Sequence, residues 1–135
     1  MIRTYVDSGV LIAAATERGP LVPEAVEILD DPERSFLSSL YVEIEVYPAA
    51  RRNRRGQELE FYEQFFDKAE FPRSGDYERA CKGALEILSK HPIGVVDALH
   101  VAMALELDAD ELVTTEKPRK GIASTGLLDV ISLWG

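Results

Sequence analysis

Five acidic residues occupy positions where a carboxylate needs an explanation. Asp7 follows the strand-like run IRTYV and precedes a helix. Glu43 and Glu45 lie in the mostly apolar SLYVEIEVYP. Asp97 lies in GVVDALHVAMAL, and Glu116 ends the run VTTE. An unpaired carboxylate is costly to bury, so each must face solvent, find a partner or bind a cation. Taken singly, each has a plainer reading: Asp7 as a helix cap, Asp97 as a first-turn acid favoured by the helix dipole, Glu116 as a loop acid. Glu43 and Glu45 are two residues apart and do not share a helix face, so at most one can join the others. Periodicity does not choose between them. Pro48 leaves the Ile44 carbonyl without its usual helical partner, which points to a distortion beside Glu45. Together, acids at two strand ends and in two apolar helices suggest a site for a hard cation. Oxygen-only ligands favour magnesium or manganese over zinc. His100, three residues after Asp97, can share its face and steady it. Asp108, Asp110 and Glu111 read as solvated turn residues.

Other chemistries find little support. The only histidines are His91 and His100, and no Ser-His spacing carries a specific signature. No glycine-rich phosphate loop occurs. The single cysteine, Cys81, excludes an internal disulfide and a cysteine zinc site, and reads as a small core residue of the helix DYERACKGALEILSK. The net charge of -9 argues against a uniformly basic duplex-binding surface, but local patches remain. RRNRR at 51–55 is the densest positive run. Either it is a solvated helix end, or Arg51 and Arg52 meet nucleic-acid phosphate. Lys117, Arg119 and Lys120 follow Glu116 directly and invite the same two readings.

These side chains must be positioned by a single domain, for which 135 residues are ample. At 46% hydrophobic residues and a mean hydropathy of -0.09, a packed core is expected. No signal peptide and no membrane span is evident, so a cytoplasmic location is expected. Residues 2–6 read as a strand, 10–17 as a short helix, and PEAVEILDD as a helix with Pro23 in its first turn. A short strand at 35–38 precedes the helix through SLYVEIEVYPAARR, bent or interrupted at Pro48. QELEFYEQFFDKA is a helix with Leu59, Tyr62, Phe65 and Phe66 as its buried stripe. A short extended piece falls near Phe71-Pro72. DYERACKGALEILSK begins at a cap, Asp76, and Gly94 to Leu107 form a more apolar helix. ELVTT and DVISL close the chain as strands. Strands mixed with helices predict an α/β fold with a central parallel sheet covered on both faces. Ligands in such sheets gather beyond the carboxyl ends of the strands. Asp7 and Glu116 should therefore point into one crevice.

The same segments resemble the motifs of PIN-domain ribonucleases. YVDSGVLIAA resembles the first motif, SSLYVEIEVYP the acid-bearing helix, VVDALHVAMAL the Asp-Ala-x-His-x-Ala helix, and ELVTTEKP the strand ending in Thr-x-acid. The order fits over residues from about 2 to about 133, and the length resembles the VapC-like toxin branch. The resemblance implies a three-layer α/β/α domain over 1–135. It assigns Asp7, Glu45, Asp97 and Glu116 as catalytic, metal-holding acids, with Glu45 matching better than Glu43. Ser8, Thr114 and His100 would support them, and Arg51, Arg52 and Lys117 would bind substrate. It implies magnesium or manganese, cleavage of single-stranded or loop RNA, a small antitoxin partner and a homodimer. Glu116 departs from the family, which commonly carries Asp or Asn there. A catalytically silent RNA- or protein-binding module is the alternative within the same fold. A receiver-type phosphorylation switch is the alternative outside it, but it lacks the paired acids expected before its acceptor strand.

Overall fold

The computed structural model describes all residues, 1–135. Four strands, β1 (Ile2–Val6), β2 (Arg34–Leu37), β3 (Glu111–Thr114) and β4 (Val130–Ser132), form one sheet in the order β2-β1-β3-β4. Every pairing is parallel, with Thr4 opposite Phe36 on one side and Val6 opposite Val113 on the other. Thr4, Tyr5 and Val6 are consecutive and all fully buried. Successive strand side chains point to opposite faces, so helices must cover both faces of β1. This is the predicted three-layer α/β/α arrangement.

Helices α1 (Ser8–Thr16), α2 (Val22–Leu29), α3 (Leu40–Arg52) and α4 (Gly56–Lys68) pack among themselves. The long α5 (Ser74–Lys90) lies along α6 (Val95–Glu106). There Gly83 faces Ala102, and a Cβ would stand in ordinary contact with its methyl at 3.5 Å. No helix is long and apolar enough to cross a membrane.

Several expectations need correction. Helix α3 runs through Pro48 without a break; Ile44, whose carbonyl loses its donor, is on the exposed side. Asp76 is not the cap residue of α5. It stands in the first turn and accepts the Arg73 backbone N–H at 2.7 Å. Cys81 is exposed rather than core, and its thiol meets the Tyr41 hydroxyl at 3.4 Å. Within α4, Tyr62 and Phe66 are buried as expected, but Leu59 and Phe65 are only partly covered. Glu58 is buried with them because Tyr62 donates to it at 2.8 Å. The extended piece falls at Glu70, which makes a single parallel bridge to Leu37. Glu111 is no turn residue. It opens β3, buried, and accepts from Thr4 Oγ1 at 2.9 Å and Arg34 Nε at 2.8 Å.

Candidate active site

Strand order places β1 between β2 and β3, so the chain's direction of crossover reverses between β1 and β3. A crevice opens beyond the carboxyl ends of strands at such a point. Asp7 follows β1 there, and Thr114 ends β3 two residues before Glu116.

Asp7 is 8% exposed and held at both oxygens. Oδ1 accepts the Gly9 backbone N–H at 2.7 Å, which caps α1. Oδ2 accepts from Thr114 Oγ1 at 2.5 Å. The Thr114 hydroxyl also receives the Glu116 backbone N–H at 3.1 Å, so one buried hydroxyl ties two acid-bearing segments together. Burial pushes the Asp7 carboxyl above the ordinary range, against the lowering effect of these two bonds. Gly9 is required by space: a Cβ would lie 2.2 Å from Thr115 Oγ1. Ser8 opens α1 beside Asp7, partly buried.

Asp97 lies in the first turn of α6. Burial first, then the charge of Glu116 and a carboxyl–carboxyl hydrogen bond to it, then the charge of Asp7, push it up to about 6. Acids from three separate elements therefore sense one another across the crevice. Glu116 is fixed by the following loop, its Oε2 accepting the Ile122 backbone N–H at 2.8 Å. Gly121, at φ 50°, makes room, because a Cβ there would fall within 1.9 Å of that oxygen. The longer side chain thus reaches the start of the 3-10 turn Gly121–Ser124.

Glu45 is placed differently. Its Oε1 lies 2.5 Å from His100 Nε2, and His100 Nδ1 lies 2.8 Å from the Tyr5 hydroxyl. Tyr5 in turn meets Ser39 Oγ at 2.7 Å, at the start of α3. His100 thus steadies Glu45, not Asp97, although its charge also acts on Asp97. Glu43 lines a separate groove with Leu40, Ile44, Tyr47 and Arg51. The Arg51 guanidinium sits over the Tyr47 ring at 4.4 Å, on a different face of α3 from Glu45. Arg52 is seven residues from Glu45, on its face but about 10 Å along the axis. Lys117 follows Glu116 directly and stands 5.5 Å from the centre of the Trp134 ring.

Sequence reasoning missed Tyr5, Ser39, Thr115 and Trp134. A tyrosine rather than phenylalanine in a buried strand position is a signal that its hydroxyl has a partner. Nothing local marked the others.

The donor set of the crevice is all oxygen, which suits a hard cation. No group of three or more His, Cys, Asp or Glu side chains is placed to hold a metal ion by itself. Magnesium does not require one: it keeps several waters and uses one or two carboxylates with substrate phosphates. Burial raises Asp97 most, and the repulsion from Glu116 and Asp7 that adds to it is the part a divalent ion would relieve. The residues present therefore fit such an ion.

Comparison with known proteins agrees with this architecture. The PIN domain family matches residues 4–118, and the chain belongs to that family. Its fold is similar to that of DNA-bound VapBC from Salmonella typhimurium (TM-score 0.72, 16% identity, 98% of this chain and 99% of that one). It is also similar to VapBC-1 of nontypeable Haemophilus influenzae (0.68, 19%, 99% and 100%). A third is VapBC2 of Rickettsia felis bound to a promoter DNA fragment (0.68, 17%, 96% and 97%). No curated protein sequence matches the chain significantly.

Proposed function

We propose that this PIN domain is a magnesium- or manganese-dependent endoribonuclease that cleaves single-stranded or loop RNA, and that it acts as the toxin of a toxin–antitoxin pair. The observation that carries the reading is the convergence of Asp7, Asp97 and Glu116, from three elements, beyond the carboxyl ends of β1 and β3. Asp7 and Asp97 would hold the ion, with Glu116 and Glu45 as further carboxylates. When bound, the ion supplies charge neutralisation at the phosphate and acidifies water for in-line attack.

The chain's own residues do the rest. Thr114 and Gly9 fix the direction of the Asp7 carboxylate, leaving its remaining lone pairs for the crevice. One carboxylate of the crevice that is not engaged by the ion would receive the proton of the attacking water and return it to the leaving oxygen. His100 fixes the Glu45 carboxylate, which would serve as a further acceptor. No protein nucleophile is needed. Structural neighbours described as a toxin–antitoxin complex and as a member of the VapBC family of toxin–antitoxin systems support a small antitoxin partner for this chain, and the family resemblance supports a homodimer.

The test is incubation of the purified protein with labelled single-stranded RNA and either metal, beside an Asp7→Asn, Asp97→Asn double variant. Metal-dependent cleavage that the folded variant lacks supports the enzyme. The absence of a group of side chains placed to hold a metal by itself keeps a second reading in view, a binding module. Metal and RNA binding without cleavage would establish that instead.

A further inference from the structure

Trp134 is 47% exposed, and its position is fixed. Its Nε1 donates to the Thr115 carbonyl at 2.7 Å and its backbone N–H to Ser132 Oγ at 3.2 Å. Ser132 Oγ donates to the Glu116 carbonyl at 2.6 Å, and the Leu133 N–H to the Thr114 carbonyl at 3.0 Å. Residues 132–134 are thus stapled along Thr114–Glu116, the segment that carries the acid and the hydroxyl bonded to Asp7. A large aromatic left half-open and held by its polar edge has surrendered little to the core. Its pinned edge also means that little conformational freedom remains to be lost on binding. Lys117 stands over the ring, 5.5 Å from its centre.

We infer that Trp134 is a stacking platform for a nucleobase of the single-stranded RNA, at the rim of the acid crevice, with Lys117 contacting the phosphate of the stacked nucleotide. Aromatic stacking suits a single strand because every base offers a π-face, whereas bases within a duplex are already stacked. A platform one residue from the acid segment would set which linkage enters the crevice. The assignment rests on the RNA reading above, and adds the site at which the strand is gripped.

The chain contains one tryptophan, so its fluorescence reports this site alone. The Asp7→Asn, Asp97→Asn variant is titrated with a short single-stranded oligoribonucleotide, and in parallel with an abasic strand of equal length and charge. The expected result is quenching and tight binding with the base-bearing strand, and binding weakened by about 5- to 100-fold, without quenching, with the abasic strand. Read by the anisotropy of a dye-labelled strand, since these variants carry no tryptophan, Trp134→Ala should lower affinity for the base-bearing strand to the abasic level, and Trp134→Phe should restore much of it. Equal affinities for the two strands would overturn the platform while leaving RNA binding intact. Failure of both strands to bind would overturn the RNA reading itself. A fluorescence change that tracks protein concentration without RNA would assign the ring to a protein contact and overturn the platform.

Discussion

The Glu45 carboxylate and the His100 imidazole meet at 2.5 Å, and the other ring nitrogen meets Tyr5 at 2.8 Å. The ring is thus held at both nitrogens, Nε2 by Glu45 and Nδ1 by Tyr5. The Tyr5 hydroxyl in turn joins His100 to Ser39. Burial raises the Tyr5 hydroxyl far above its ordinary pKa, which keeps its proton in place. His100→Ala should therefore cost about 2–4 kcal/mol, through a cavity and an orphaned tyrosine hydroxyl. Glu45→Gln keeps an acceptor and should cost less than about 1 kcal/mol. Urea denaturation of both variants checks the ordering, and the reverse order would refute the role given to this hydrogen-bonded chain.

Gly121→Ala should destabilise by about 1–3 kcal/mol, because the backbone is left-handed and the new methyl strikes Glu116. Adding Glu116→Ala removes the obstacle and should recover part of the loss. The recovery is read as a coupling energy in a double-mutant cycle. Additivity of the two changes would mean that the Glu116–Ile122 contact does not shape this loop.

The pH dependence of metal-free protein follows from Asp97. Its folded pKa, about 6, lies above the ordinary 3.8, so the folded state binds its proton more tightly than the unfolded state does. Its stabilising contribution is complete below 3.8 and lost as pH rises through 6. Asp97→Asn should therefore melt higher than wild type at pH 8 in chelator, and the difference should shrink toward pH 4. Added magnesium should raise the melting temperature of wild type at pH 8 but not of Asp97→Asn. An Asn variant that melts lower at pH 8 would contradict the crowding.

Thr114→Val removes a hydroxyl shared by Asp7 and the Glu116 backbone, and should lower stability by about 1–3 kcal/mol and weaken metal binding. Thr114→Ser should restore both. If the valine variant binds metal as wild type does, Asp7 does not depend on this bond.

The basic residues should separate by position. Lys117→Ala should reduce the salt slope of RNA binding by about 1. Arg51→Ala should change it less, since Arg51 stacks on Tyr47 and faces away from Glu45. Equal effects would extend the RNA path across α3.

Local chemistry made much of this protein legible in its sequence. Alternation, helical period and turn residues located the four strands, and strand-end placement predicted that Asp7 and Glu116 would share a crevice. The Asp-Ala-x-His spacing marked α6 as a special helix. Properties that depend on partners distant in the chain were not legible. Glu111 looked like a solvated acid until Arg34 and Thr4 were brought against it, and Cys81 looked like core until the packing of α5 on α6 left it outside. Periodicity could not choose between Glu43 and Glu45, because the choice depends on His100 across an interhelical contact. Trp134 carried no motif at all. Its place against Thr115 is set by β4 pairing with β3, since hydrogen bonds between segments far apart in sequence form only once the chain has folded.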